Sequence, residues 1–498
     1  MANSQLLLAL ILAVPALQAE TKDGCAKLSA SSERSTLSAT VVDGGTFTPA
    51  SAKAIASLPA FCRVVAKLHP TKDSDIGVEV WLPVSGWNGK YLATGSGGWG
   101  GSIGYGALAS GLRRGYAVSA TDDGHTGGSG DFIPGHPEKF IDFGYRAEHE
   151  MAVTSRALVQ SFYGEAPRYS YWEGCSGGGR EGLIQAARYP DEFDGIVAGD
   201  PANIRRNSWA LWLANETFKD PASLIPPAKY AMVHEAVLKQ CDAADGVKDR
   251  LISDPESCHP DLKPLACKAG DAADCLTPKQ LHSAETLMSP ATGKTGTVYF
   301  PRVEPGTELR WARTAGGPEP AELFYDEFRY VVYKDAKWDW RNFDLDRDAA
   351  KAHAIDKDVD EMDPKLAAFA KHGKLLIYHG WADQQVAPGS SVEFYKAAVA
   401  DSGKPAADWV RLYMVPGMGH CSGGEGPDTF DKLGALEAWV EQGKTPEAIL
   451  ATKTTGVKAD GAFDRTRPLC PYPQRARYSG SGSVDQAGNF SCVDGSER

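Results

Sequence analysis

The sequence predicts an α/β fold, a doubly wound and mostly parallel sheet interrupted by one large insertion. Three observations predict it. Between residues 78 and 199 short apolar runs alternate with helical patterns, the rhythm of strands joined by crossover helices. That rhythm stops after Pro201 and returns at Lys374–Gly380 and Val410–Val415. The turn Gly174-Cys175-Ser176-Gly177-Gly178 stands between the aromatic run 169–173 and the helical run 183–188. This is G-x-S-x-G at a strand-to-helix corner.

In chain order, 78–82 and Lys90–Thr94 read as strands joined by Ser85-Gly86-Trp87-Asn88-Gly89, and the loop Gly95-Ser96-Gly97-Gly98-Trp99-Gly100-Gly101 follows. A strand over 116–121 leads into Asp122-Asp123-Gly124-His125, and a helical pattern runs from about 143 to 163. Gly195–Gly199 is a further apolar strand. From 203 to 365 the chain is rich in Trp, Pro and Asp, carries four cysteines and has no clean strand period. That stretch has the size of a separate domain. The predicted organisation is a leader over 1–19, a main domain over 20–202 and 366–498, and an inserted domain over 203–365. The Gly/Ser-rich tail from Tyr478 reads as surface structure pinned by Cys470 and Cys492.

The net charge of −12 without a basic stretch argues against a nucleic-acid partner. Residues 6–14 form an apolar run of signal-peptide length, followed by Pro15 and Ala19, too short to span a bilayer. A secretory signal removed near Ala19 is expected, and with it a secreted or periplasmic protein without a membrane span. Nothing in the sequence speaks to oligomeric state. The ten cysteines form no C-x-x-C, which argues against zinc and for five disulfides in an exported chain. Closeness pairs Cys241 with Cys258, Cys267 with Cys275 and Cys470 with Cys492, with Cys25 and Cys62 as a plausible fourth pair. Proximity alone does not fix this connectivity. Cys175 and Cys421 remain, the first beside Ser176 and the second beside His420.

A serine hydroxyl needs a histidine to take its proton and a carboxylate to orient that histidine. In the α/β-hydrolase fold the chain order is Ser, then Asp or Glu, then His, each just past a strand. Asp383 follows the strand ending at Gly380, and His420 follows the strand ending near Val415. Ser176 is thus the candidate nucleophile, His420 the base and Asp383 the orienting carboxylate. The N–H of Gly177 is one oxyanion donor, and Gly98 or Gly97, in the glycine-rich loop, is the candidate for the second. A bridge between Cys175 and Cys421 would clamp nucleophile and base together.

These segments, Gly174-Cys175-Ser176-Gly177-Gly178-Gly179-Arg180-Glu181, His379-Gly380-Trp381-Ala382-Asp383 and Gly417-Met418-Gly419-His420-Cys421, resemble the CS-D-HC motif of the tannase and feruloyl esterase family. That family includes mono(2-hydroxyethyl) terephthalate hydrolase. The resemblance covers nearly the whole chain beyond the leader. It implies the five cysteine pairs given above, with Cys175–Cys421 among them, and a role for His379 in lining the acyl pocket. It also bears on Cys241-Asp242-Ala243-Ala244-Asp245-Gly246-Val247-Lys248-Asp249-Arg250-Leu251. By spacing, this stretch is equally a solvated acidic loop or a set of hard oxygen ligands. The resemblance implies a structural calcium ion in the lid, held by Asp242, Asp245 and Asp249 and the carbonyls of Val247 and Leu251.

Trp209, Trp212, the aromatics of 324–330, Trp338 and Trp340 read mostly as lid core. The family implies that some of them stack on a flat acyl group. The expected function is hydrolysis of esters of hydroxylated aromatic acids, feruloyl or galloyl, through an acyl-enzyme. Activity like that of mono(2-hydroxyethyl) terephthalate hydrolase is an alternative. An alternative of another class is a calcium-dependent binding module on an inactive scaffold.

Overall fold

The computed structural model describes residues 23–203, 205–315, 317–356, 362–453 and 464–495. The expected leader lies outside the described residues. The described residues form two compact units, one of 23–128 with 135–173 and 192–194, the other of 129–134, 174–191 and the described residues after 194.

The first unit is built on a sheet of β1 (Ala30–Ser31), β2 (Ser35–Val42), β5 (Phe61–Leu68), β6 (Ile76–Pro83), β7 (Lys90–Thr94), β8 (Ala117–Thr121) and β9 (Tyr169–Cys175), with β3 (Gly45–Phe47) and β4 (Ile55–Leu58) forming a small side hairpin. Their order is β1-β2-β5-β6-β8-β7-β9. From β1 to β8 every pairing is antiparallel, and only β8-β7 and β7-β9 are parallel. The α/β class holds, but the sheet is mixed where the sequence predicts a mostly parallel one. β6 and β7, consecutive in sequence, are not neighbours, because β8 lies between them. β6 and β8 are buried along their whole length, which matches their continuous apolar text.

The helix expected from about 143 begins as a π-type turn, Asp142–Arg146, and becomes regular over Ala147–Tyr163, ending on left-handed Gly164. Asp142 is fully buried. It accepts hydrogen bonds from Arg146 Nε at 2.5 Å and Ser74 Oγ at 3.2 Å, and this side-chain network accompanies the irregular first turn. Cys25–Cys62 ties the start of the described chain to β5.

In the second unit β10 (Gly195–Gly199), β13 (Lys374–Gly380) and β14 (Val410–Val415) run parallel, with Ile196 opposite Leu375 and Leu375 opposite Val410. Helices Gly177–Arg188, Gly389–Ser402 and Lys432–Gln442 accompany them. Between β10 and β13 the insertion folds into helices Arg205–Thr217, Tyr230–Cys241, Pro278–Leu287 and Leu345–Asp356, joined by short turns and the β11 (Ala291–Thr292) and β12 (Val298–Phe300) hairpin. It has its own core of Trp209, Leu213, Val233, Trp311, Phe328 and Trp340, all buried. Most of the tryptophans and phenylalanines that the sequence offers as lid core are found there. Cys241–Cys258 and Cys267–Cys275 close loops within it. The chain finishes in two antiparallel pairs, β15 (Ile449–Lys453) with β16 (Arg465–Leu469) and β17 (Arg475–Tyr478) with β18 (Phe490–Val493), fastened by Cys470–Cys492.

Candidate active site

At the corner between β9 and helix Gly177–Arg188, Ser176 sits at φ 62° and ψ −117°, a region that side-chain-bearing residues rarely enter. Its neighbours hold it there. The N–H of Ser176 donates to the Gly199 carbonyl at 2.9 Å, and its own carbonyl accepts from Ala202 N–H at 3.0 Å. Glycine is obligatory beside it. A Cβ at Gly174 would stand 2.4 Å from the Gly178 carbonyl, and one at Gly179 would stand 2.2 Å from the Gly199 oxygen. The sharp corner turns Oγ outward into a partly exposed position.

Ser176 Oγ is 2.8 Å from His420 Nε2, and His420 Nδ1 is 2.6 Å from Asp383 Oδ2. Asp383 is fully buried. Its Oδ1 accepts the N–H groups of Gln385 and Val386 at 2.7 and 3.0 Å, which leaves Oδ2 for the imidazole. Burial alone would raise this carboxyl. The neighbouring His420 charge and hydrogen bonds from His379 and His420 outweigh burial and hold it far below the ordinary carboxylate range. The disulfide Cys175–Cys421 spans 246 residues and joins the residue before Ser176 to the residue after His420. All five bridges follow the pairing that the resemblance implies. The arrangement can draw a proton from Ser176 to His420 and stabilise the resulting imidazolium.

His379 is placed otherwise than expected. It is wholly buried, with Nδ1 2.7 Å from Ser391 Oγ and Nε2 3.1 Å from the Val386 carbonyl and 3.2 Å from Asp383 Oδ2. Both ring nitrogens are thus engaged inside the protein. This geometry makes His379 a support beneath Asp383 and does not fit a residue lining an acyl pocket.

Sequence reasoning missed Asp200. It follows β10 directly, is fully buried at φ 38° and accepts the Gly380 N–H at 3.0 Å, with His379 Nε2 3.7 Å away. The sequence signal was Gly199-Asp200-Pro201, an acid at the end of an apolar strand. Burial, with the charge of Asp383 added, pushes Asp200 up to about 6. The native state therefore holds this proton more tightly than the unfolded chain does, and stability is lost as pH rises from about 4 through 6. Asp200→Asn removes that loss. Relative to the parent protein, its melting curves are expected to gain up to roughly 3 kcal/mol between pH 4 and pH 6.5. A gain in the acid direction instead would contradict this reading.

Gly177 opens its helix, and its N–H has no intrahelical partner. Gly97 and Gly98 lie in the loop after β7 in the first unit, Gly98 at φ 63° with open space where a Cβ would stand. The acidic loop of the insertion turns on left-handed Gly246. Asp242 Oδ1 accepts the N–H groups of Asp249 and Arg250, Asp245 Oδ1 that of Val247, and Asp249 Oδ1 that of Leu251. Arg467 binds the other oxygen of Asp249. Burial, then the charges of Asp249 and Asp242, push Asp245 up to about 6. Carboxylates gathered against their mutual repulsion fit a hard divalent cation, which would relieve it.

The profile described as "Tannase and feruloyl esterase" matches residues 62–493. An uncharacterized esterase of Xanthomonas campestris pv. campestris is 38% identical, over 96% of this chain and 92% of its own length. A probable feruloyl esterase B of Aspergillus clavatus is 35% identical, over 87% and 86%. The crystal structure of feruloyl esterase B from Aspergillus oryzae superposes with a TM-score of 0.89 at 30% identity, covering 95% of this chain and all of that one. With a sequence match of this extent and a fold shared nearly end to end, this chain belongs to the tannase and feruloyl esterase family of carboxylic ester hydrolases.

Proposed function

We propose that the protein is an exported serine esterase that hydrolyses esters of hydroxylated aromatic acids, such as feruloyl and galloyl esters. The hydrogen-bonded series Ser176–His420–Asp383 carries this reading. Ser176 Oγ attacks the ester carbonyl while His420 Nε2 takes its proton, and Asp383 fixes the tautomer and balances the imidazolium. The oxyanion is met by the N–H of Gly177 at the positive end of its helix. On sequence grounds the second donor is Gly98 or Gly97. His420 returns the proton to the departing alcohol, leaving an acyl-enzyme that water hydrolyses with His420 again as base. The insertion over 203–365 serves as the lid.

Export is supported by the five disulfides, which use every cysteine, since such bridges persist in oxidising compartments. No helix among the described residues is long and apolar enough to cross a membrane. Calcium belongs to the lid loop, held by Asp242, Asp245 and Asp249 with the carbonyls of Val247 and Leu251. When bound, it supplies charge neutralisation that stiffens the loop. Chelation is expected to lower the melting temperature by several degrees, and calcium to restore it. Identical melts with and without chelator would leave the aspartates merely solvated.

The substrate class is tested by kcat/KM measured in parallel on methyl ferulate, methyl gallate and a terephthalate monoester. Preference for the first two is expected. A terephthalate preference would move the assignment, and failure of a fluorophosphonate probe to label Ser176 would end it.

A further inference from the structure

The second unit contains a cavity of ≈ 400 Å³ that neither Ser176, Asp383 nor His420 lines. Leu238, Ile252, Leu309 and Trp381 give it apolar walls, and its size is that of a small-molecule site. Four charged groups also face it: His234, Arg250, Arg310 and Glu425. Three of them are matched within the protein. His234 lies 2.7 Å from both Glu308 and Glu425, and Arg250 lies 2.7 Å from Glu235 and 3.7 Å from Glu425.

Arg310 is different. Among the described residues its half-buried guanidinium has no hydrogen bond or ion pair. It packs instead on the backbone flanking His420. A Cβ at Gly419 would stand 2.8 Å from Nη1, and one at Gly423 would stand 2.6 Å from Nη2. A guanidinium offers a planar fork of donors that matches a carboxylate. Its nitrogens stay open to solvent, so a ligand that enters the cavity can take those donors. An unmatched fork against apolar walls selects a ligand that carries one carboxylate on an apolar body.

We propose that this cavity is a second, non-catalytic binding site for a small monocarboxylate, anchored by Arg310. The acids released by aromatic-ester hydrolysis belong to that class, as do short fatty acids, but the site stands whatever Ser176 does.

Calorimetric titration of the full-length protein tests it, with benzoate, hexanoate and the neutral isostere benzamide as probes. Saturable binding of a carboxylate is expected, at least tenfold weaker in Arg310→Gln, whereas benzamide binding is weak and indifferent to that change. The tighter of the two acids identifies the body as aromatic or aliphatic. Leu309 is 43% exposed, so Leu309→Trp is tolerated by the fold and narrows the cavity, and it too is expected to weaken the acid. Equal carboxylate affinity in parent and Arg310→Gln overturns the proposal, as does absence of saturable binding at millimolar acid. If Arg310→Gln does not fold, Leu309→Trp decides alone, and unchanged affinity there overturns it equally.

Discussion

Ser176→Ala is expected to lower kcat/KM for methyl ferulate and methyl gallate by about 10⁴-fold or more. The reason is local. Ser176 Oγ makes one side-chain contact of consequence, with His420 Nε2 at 2.8 Å, and water positioned in its place has no comparable nucleophile to offer. The fold should be untouched. The unusual φ of 62° is held by backbone bonds to Gly199 and Ala202, and alanine bears that conformation at much the same cost as serine. The variant should therefore melt with the parent while losing turnover and fluorophosphonate labelling together. Retained hydrolysis with an unchanged melting curve would mean that another residue attacks the ester.

Removing the bridge, as Cys175→Ala with Cys421→Ala, is expected to cost up to about 5 kcal/mol of stability in the chain-entropy model for so long a loop. Activity should fall further than stability. Cys421 sits at φ 60° immediately after His420, so the bridge holds a strained loop as well as closing a ring. Calorimetry gives the first effect, and kcat well below the melting transition gives the second. If kcat there equals that of the parent, the bridge is a staple for the fold and the imidazole is placed by Asp383 alone.

Much of the site was legible because its chemistry sits at chain corners. The edges of β7, β10, β13 and β14 fall where apolar runs meet glycine or proline. Ser176, Asp383 and His420 each follow such a run, so order and spacing brought them forward before any geometry. The start of the helix after Ser176 was less legible. Gly177, Gly178 and Gly179 are poor helix formers, yet they open it, because a side chain at 179 would strike the end of β10.

The antiparallel β2 and β5 escaped notice although both show partial alternation of burial. Their Ser, Thr, Lys and Arg residues dilute the apolar signal that marks the central strands. His379 and Asp200 escaped for the opposite reason. From Leu375 onward β13 is buried on both faces, so its text carries no period of two to say which way His379 points. Asp200 acquires its role only through residues some 180 positions away.

The long separation between Cys175 and Cys421 also bears on how the molecule folds. Cys175 is synthesised well before its partner, and Cys241, Cys258, Cys267 and Cys275 appear in the interval. A bridge from Cys175 to any of these four would be non-native, and only thiolate exchange would reopen it. Yield in a foreign host is accordingly expected to rise more with a disulfide-shuffling catalyst than with added oxidant alone.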